Sequence, residues 1–228
     1  MILCQFCAIL ERVMESKPSF FQQHPLLKDV ISLVTFIACV AVGALLLNSY
    51  VFRSYHVVGH SMDNTLAEGD RMIVNRSAVT WSHFLGQEYL PSRGQIIVFA
   101  NGAASGPLTC EPPADIADQY IIKRVIAFAG ERVIVKDGVL TVYNDEHPYP
   151  NGFSPDDETR KSDTDGPKTH TSGEVDMVVP EGEIFVSGDN REGSNSFDSR
   201  NGLGTIPLCR VIGPVALRIF PFNRLRTF

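Results

Sequence analysis

The chain has 228 residues, 44% of them hydrophobic, and a net charge of −6, which is enough for one membrane anchor and one soluble domain with a real core but not for a second large domain. Residues 144–176 hold nine acidic side chains against three basic ones, an excess equal to the whole net charge. No dense basic stripe lies elsewhere, which excludes nucleic acid as a partner. The five cysteines, Cys4, Cys7, Cys39, Cys110 and Cys209, are too few and too scattered for a disulfide framework. Only Cys110 and Cys209 are candidates to pair outside a membrane, and the lone Cys4-x-x-Cys7 lacks the second pair that a metal site needs. No metal and no cofactor is expected.

Residues 1–29 form a short leading segment. Residues 30–52 then run without a charge and would span roughly 34 Å as a helix at about 1.5 Å per residue, long enough to cross a bilayer. The run starts later and is longer than the apolar part of a cleavable signal peptide, so it reads as a retained anchor. Arg12, Lys17 and Lys28 precede it and Arg53 and Arg71 follow it. That slight bias leans toward an N-terminus inside and residues 53–228 on the outer face.

Past the anchor, short β-rich runs alternate with Gly, Pro and Asp: residues 71–75, 95–100, 120–129, 131–144, 184–188 and 215–220. Asp137-Gly138 between two such halves predicts a tight hairpin. No amphipathic helix of ordinary length is visible, so residues 53–228 are expected to form a mainly antiparallel β domain. Residues 144–176, acidic and broken by Pro148, Pro150, Pro155 and Pro167, predict a mobile surface insertion. Residues 101–118 predict a second loop.

Two residues draw attention to chemistry. Ser61 follows a short β-rich stretch, Tyr55 to Val58, and then Gly59-His60 at a bend just beyond the anchor. Lys123 stands among Ile121, Ile122, Val125 and Ile126, where a charged amine is costly to desolvate. A free lysine has a pKa near ~10.4, so only about one in a few thousand is neutral at neutral pH; burial lowers that value and makes the amine a usable base for a serine hydroxyl. The ordinary alternatives for Lys123 are snorkelling to solvent or pairing with a carboxylate such as Asp189. His60 is a poor base for its neighbour, since adjacent residues of an extended chain point to opposite faces.

With residues 188–200, Gly-Asp-Asn-Arg-Glu-Gly-Ser-Asn-Ser-Phe-Asp-Ser-Arg, a pattern emerges. Residues 61–76, 93–99, 120–133 and 188–200, in that order behind an anchor and before the closing run 212–221, resemble the conserved boxes of type I signal peptidases, closest to the compact single-anchor Gram-positive-like members. The resemblance implies a Ser-Lys dyad enzyme with Ser61 as acylated nucleophile and Lys123 as general base. It implies that the Ser61 N–H meets the oxyanion, that Ser196 orients Lys123, and that Arg124, Asp189, Asp198 and Arg200 form a supporting polar network. Met62, Tyr55, Val57, Val58 and Ile122 would contact substrate, although core packing explains the last four equally well.

Several departures stand out. Asn64 replaces a usual proline, which would loosen the loop after the nucleophile. Ala127 and Ala129 stand where glycine and proline are common, Glu131 where aspartate is common, and Gly59 where some members carry a second oxyanion donor. The last box is two residues longer than usual between Arg191 and Ser196, so Ser194 competes with Ser196 for the orienting role. The resemblance implies signal peptides of secreted preproteins as substrates, cut after small residues in an Ala-x-Ala pattern and bound in extended form. It also implies a single-pass place in the cytoplasmic membrane, contact with the lipid bilayer and proximity to the protein-export machinery. The C-terminal Phe220, Phe222, Arg224, Arg226 and Phe228 fit either a lipid surface or a solvated tail. Two other readings remain: a self-cleaving Ser-Lys protease, which the anchor argues against, and a catalytically impaired membrane-tethered binding module.

Overall fold

The computed structural model describes residues 25–101, 120–157, 159 and 165–228. Cys4, Cys7, Arg12, Lys17, Cys110, nearly all of the expected loop 101–118, and residues 158 and 160–164 of the acidic segment lie outside the described residues. The chain divides into two units, Met1–Leu47 and Asn48–Phe228.

Helix α1 (Pro25–Leu46) opens on a proline, whose missing N–H costs nothing in a first turn, and a π-helical turn follows over Leu47–Val51. Asp29–Val51 is the one stretch among the described residues long and apolar enough to cross a membrane, with a mean hydropathy of 2.8 and no part of it buried. The expected span 30–52 ends one residue sooner, because Phe52 already enters the first strand.

The second unit is mainly antiparallel β, as the short β-rich runs predict. Strands β1 (Phe52–His56), β2 (Arg71–Asn75), β3 (Ile96–Ala100), β4 (Tyr120–Phe128), β8 (Glu183–Ser187), β9 (Ile206–Pro207), β10 (Val211–Phe220) and β11 (Arg226–Thr227) make one sheet, in the order β1-β2-β10-β3-β4-β8-β9 with β11 on β10. β5 (Arg132–Lys136), β6 (Val139–Tyr143) and β7 (Val175–Val178) make a second, in the order β6-β5-β7. β10 joins the halves of the larger sheet: its first residues pair with β3 and its last with β2, with register shifts between Val211 and Gly213 and between Val215 and Leu217. Such bulges bend a strand. Gly213 sits where any Cβ would strike the Asn75 carbonyl, so only glycine allows the close approach. The hairpin forms where expected, with φ of 51° at Asp137 and 81° at Gly138, the paired positive values that a two-residue turn requires.

Strand alternation decides the core. Met72 and Val74 of β2 and Val133 and Val135 of β5 point inward, while β3 is buried along its whole length. One cluster, Val57, Met62, Leu66, Met72, Val74, Ile96, Val98 and Val215, lies beneath the residues singled out for chemistry.

Three features depart from expectation. An eight-residue helix, α2 (Ser77–Phe84), follows β2, started by Asn75 Oδ1 accepting from the Ser77 N–H at 3.0 Å. The short strands β7, β9 and β11 are extra. The acidic segment, expected to be a mobile surface insertion, is partly tucked in: Asp156 and Thr171 are buried, and Phe153 bridges Val142. Burial of Asp156 is offset by Arg191, itself fully buried, which holds the carboxylate through both guanidinium nitrogens, one at 2.8 Å.

Candidate active site

Ser61 lies in the turn between β1 and β2. The chain leaves β1 held by a bond from the Val57 N–H to the Asp70 carbonyl (2.9 Å), and Gly59 turns it at φ 89°, a region that L side chains rarely enter. Met62 is only 1% exposed and plunges into the cluster with Leu66. Its carbonyl accepts from the Thr65 and Leu66 N–H groups at 3.1 and 2.8 Å. This residue, expected to touch substrate, instead pins the turn that carries Ser61 from below.

Asn64, in the same turn, has φ 83°. Proline is locked near −65° and cannot adopt that value, whereas asparagine tolerates the left-handed region. The replacement therefore goes with a different turn, still tied down by the bonds to Met62.

Lys123, 3% exposed on β4, places Nζ 2.7 Å from Ser61 Oγ and 2.9 Å from the Ile122 carbonyl oxygen. Burial lowers its pKa to about 8; Asp198 and Asp189 pull the value partly back up and Arg200 pushes it down. At pH 7 roughly a tenth of such amines are neutral, about two to three hundredfold more than for a free lysine. The paired-with-Asp189 alternative is not what forms. Asp189 is taken by Arg124, which donates through Nε at 2.8 Å and a second nitrogen at 2.6 Å, while the Thr65 hydroxyl also donates to it. Burial would lower the Arg124 pKa, but Asp189 outweighs it and the pKa is raised.

The other expected supports converge behind the pair. Ser196 is fully buried, but its hydroxyl donates to Asp198 Oδ2 at 2.7 Å and not to Lys123. Asp198 also accepts from the Gly188 N–H (2.9 Å) and from two Arg200 nitrogens (3.0 and 2.8 Å). Burial would raise the Asp198 pKa, yet Arg200, Ser196 and Gly188 together hold it below the ordinary carboxylate value. Ser194, the competitor, is exposed. Arg200 reaches the Arg191 carbonyl at 3.1 Å, so Arg200, Asp198 and Ser196 form one buried group.

A cleft of about 580 Å³ opens over Ser61 and Lys123, lined on one side by Tyr55, Val57 and Val58 and on the other by Tyr120 and Ile122. Val58 is 79% exposed, whereas Tyr55 and Ile122 are half-buried and packed on the core cluster. Tyr55 and Tyr120 meet edge to face at 5.1 Å. His60 is exposed and faces Asp63 (3.2 Å) and Glu68 (3.4 Å), away from proton-taking duty.

Sequence reasoning missed Asn190 and Gly188. The Asn190 N–H donates to the Ser61 carbonyl and its Nδ2 to the His60 carbonyl, both at 3.0 Å. A Cβ at Gly188 would collide with the Ser61 carbonyl and Ser196 Oγ. Both lie in the Gly-Asp-Asn-Arg turn, whose tight spacing was the available signal. Among the described residues the Ser61 N–H has no partner, which leaves it free for an incoming oxygen.

Residues 27–220 match the family model described as signal peptidase, peptidase S26. The chain belongs to that family. Signal peptidase I of Bacillus licheniformis is 33% identical over 186 residues, 80% of this chain and 84% of that one. Signal peptidase I T of Bacillus subtilis (strain 168) is 34% identical over 186 residues, covering 80% and 81%. A crystal structure of a signal peptidase I from Enterococcus faecalis V583 is 25% identical and covers 56% of this chain and 98% of that one, with a TM-score of 0.34. The Bacillus relatives agree with the Gram-positive-like character expected from the boxes. In a signal peptidase, the apolar stretch Asp29–Val51 reads as a membrane anchor.

Proposed function

We propose that this signal peptidase is a membrane-anchored serine endopeptidase that removes N-terminal signal peptides from exported preproteins by a Ser-Lys dyad. The observation that carries the reading is the 2.7 Å contact between Lys123 Nζ and Ser61 Oγ in a setting that lowers the lysine pKa to about 8. Neutral Lys123 takes the Ser61 proton as Oγ attacks the carbonyl carbon of the scissile bond. The developing oxyanion meets the Ser61 N–H, a contact worth a few kcal/mol. Lys123 then gives its proton to the leaving amine, and in the second half it activates the water that releases the acyl group. The catalytic unit faces outward from the cytoplasmic membrane, beside the lipid bilayer and near the export machinery, and the half-buried walls of the cleft suit small residues at −1 and −3. The short Ser61–Lys123 contact favours an active enzyme over an impaired binding module.

The test uses the full chain in detergent with a peptide containing Ala-x-Ala. Ser61→Ala and Lys123→Ala should each lower kcat by at least about 10³-fold. Turnover that survives Lys123→Ala would assign the base to another group.

A further inference from the structure

Among the described residues, Tyr120–Lys123 of β4 are paired on one side only, by Ala100 to Ile97 of β3. β8 joins the other side of β4 from Arg124, opposite Ser187, onward, and β1 is an edge strand. An extended peptide added along this free edge brings the residues before its scissile bond beside Tyr120–Ile122 and ends at Ser61 and Lys123. The first residue after the bond arrives at the level of Arg124, where β8 already fills the edge. It must leave the sheet there.

The way out passes Ser194, Asn195 and Phe197, which line the same cleft as Ser61 and Lys123. Phe197 is 49% exposed although its neighbours Ser196 and Asp198 are fully buried, so the ring is held out beside the cleft and not sunk into the core. Asn195 Nδ2 donates to Asn190 Oδ1 at 3.4 Å, and Asn190 in turn grips the His60 and Ser61 carbonyls. The loop that lengthens the last box is thereby registered on the nucleophile turn.

Resting on the proposed peptidase activity, we infer that Phe197, Ser194 and Asn195 form a specificity surface for the first two residues of the mature protein. An apolar side chain at one of these positions lies against the Phe197 ring. The Ser194 hydroxyl and Asn195 amide meet the adjoining backbone.

A panel of peptides with a constant Ala-x-Ala and either Leu or Ser at +1 or +2 reads this directly. The wild-type ratio of kcat/KM, Leu over Ser, should be about tenfold at one of the two positions, the scale on which an apolar pocket discriminates. Phe197→Ala should bring that ratio to about one and Phe197→Leu should restore part of it, with the order of preference at −1 and −3 kept. A wild-type ratio near one at both positions overturns the surface whether or not the variants fold, as does a ratio that survives Phe197→Ala. A wild-type protein that cuts every peptide indifferently removes this surface alone, whereas one that cuts none removes the peptidase reading beneath it.

Discussion

Lys123 and Arg124 are consecutive cations on one strand, 3% and 5% exposed, yet they meet opposite fates. Successive side chains leave a strand on opposite faces. Lys123 enters the cleft side and finds a hydroxyl and a carbonyl oxygen; Arg124 enters the other side and finds the Asp189 carboxylate at two points. One pKa falls to about 8 and the other rises. Burial alone does not set protonation: a matched carboxylate keeps the charge on Arg124, and the lack of one loosens the proton on Lys123.

That contrast can be broken most forcefully from the Arg124 side. Asp189→Asn leaves the guanidinium buried without its counter-charge, and stability should fall by about 3–5 kcal/mol in denaturant titration; a loss under 1 kcal/mol would mean that Arg124 needs no partner. Lys123→Met removes an amine that is costly to bury. It should end turnover while raising stability by about 1–3 kcal/mol at pH 7. The native lysine pKa lies below its unfolded value, so the penalty is fully present below about pH 8 and is relieved as pH rises toward 10.5. The stability advantage of Lys123→Met should therefore shrink across that window, and an advantage that grows there would contradict the assignment.

A finer effect concerns rate. The kcat/KM profile should climb with pH through a midpoint near about 8 as Lys123 loses its proton. Burial is the largest downward influence on that amine, Asp198 the largest upward pull and Arg200 a lesser downward one, so Asp198→Asn should move the midpoint lower. A midpoint that rises would show that Asp198 does not act on Lys123.

Much of this was legible in residue order. The apolar run, the Asp137-Gly138 hairpin and most strands follow from local pattern, because burial on one face and turn chemistry are local properties. Ser61 and Lys123 stood out for a related reason: a cation amid isoleucines and valines violates local consistency, and such violations concentrate at functional sites. What stayed hidden depends on long-range pairing. Ser196 was expected against Lys123 but bonds Asp198, and Met62 faces the core instead of the cleft. Nothing near Asp156 marks it as the partner of Arg191, 35 positions away, so composition made that stretch of the acidic segment look like a mobile surface insertion. Cys209 is disulfide-bonded, in keeping with its having been a candidate to pair, while Cys110 lies outside the described residues.

The grip of Asn190 on His60 and Ser61 spans about 130 positions, and Gly188 presses its bare Cα against the same carbonyl. A chain still being synthesised therefore carries Ser61 and Lys123 before it carries the residues that tie down the Ser61 turn.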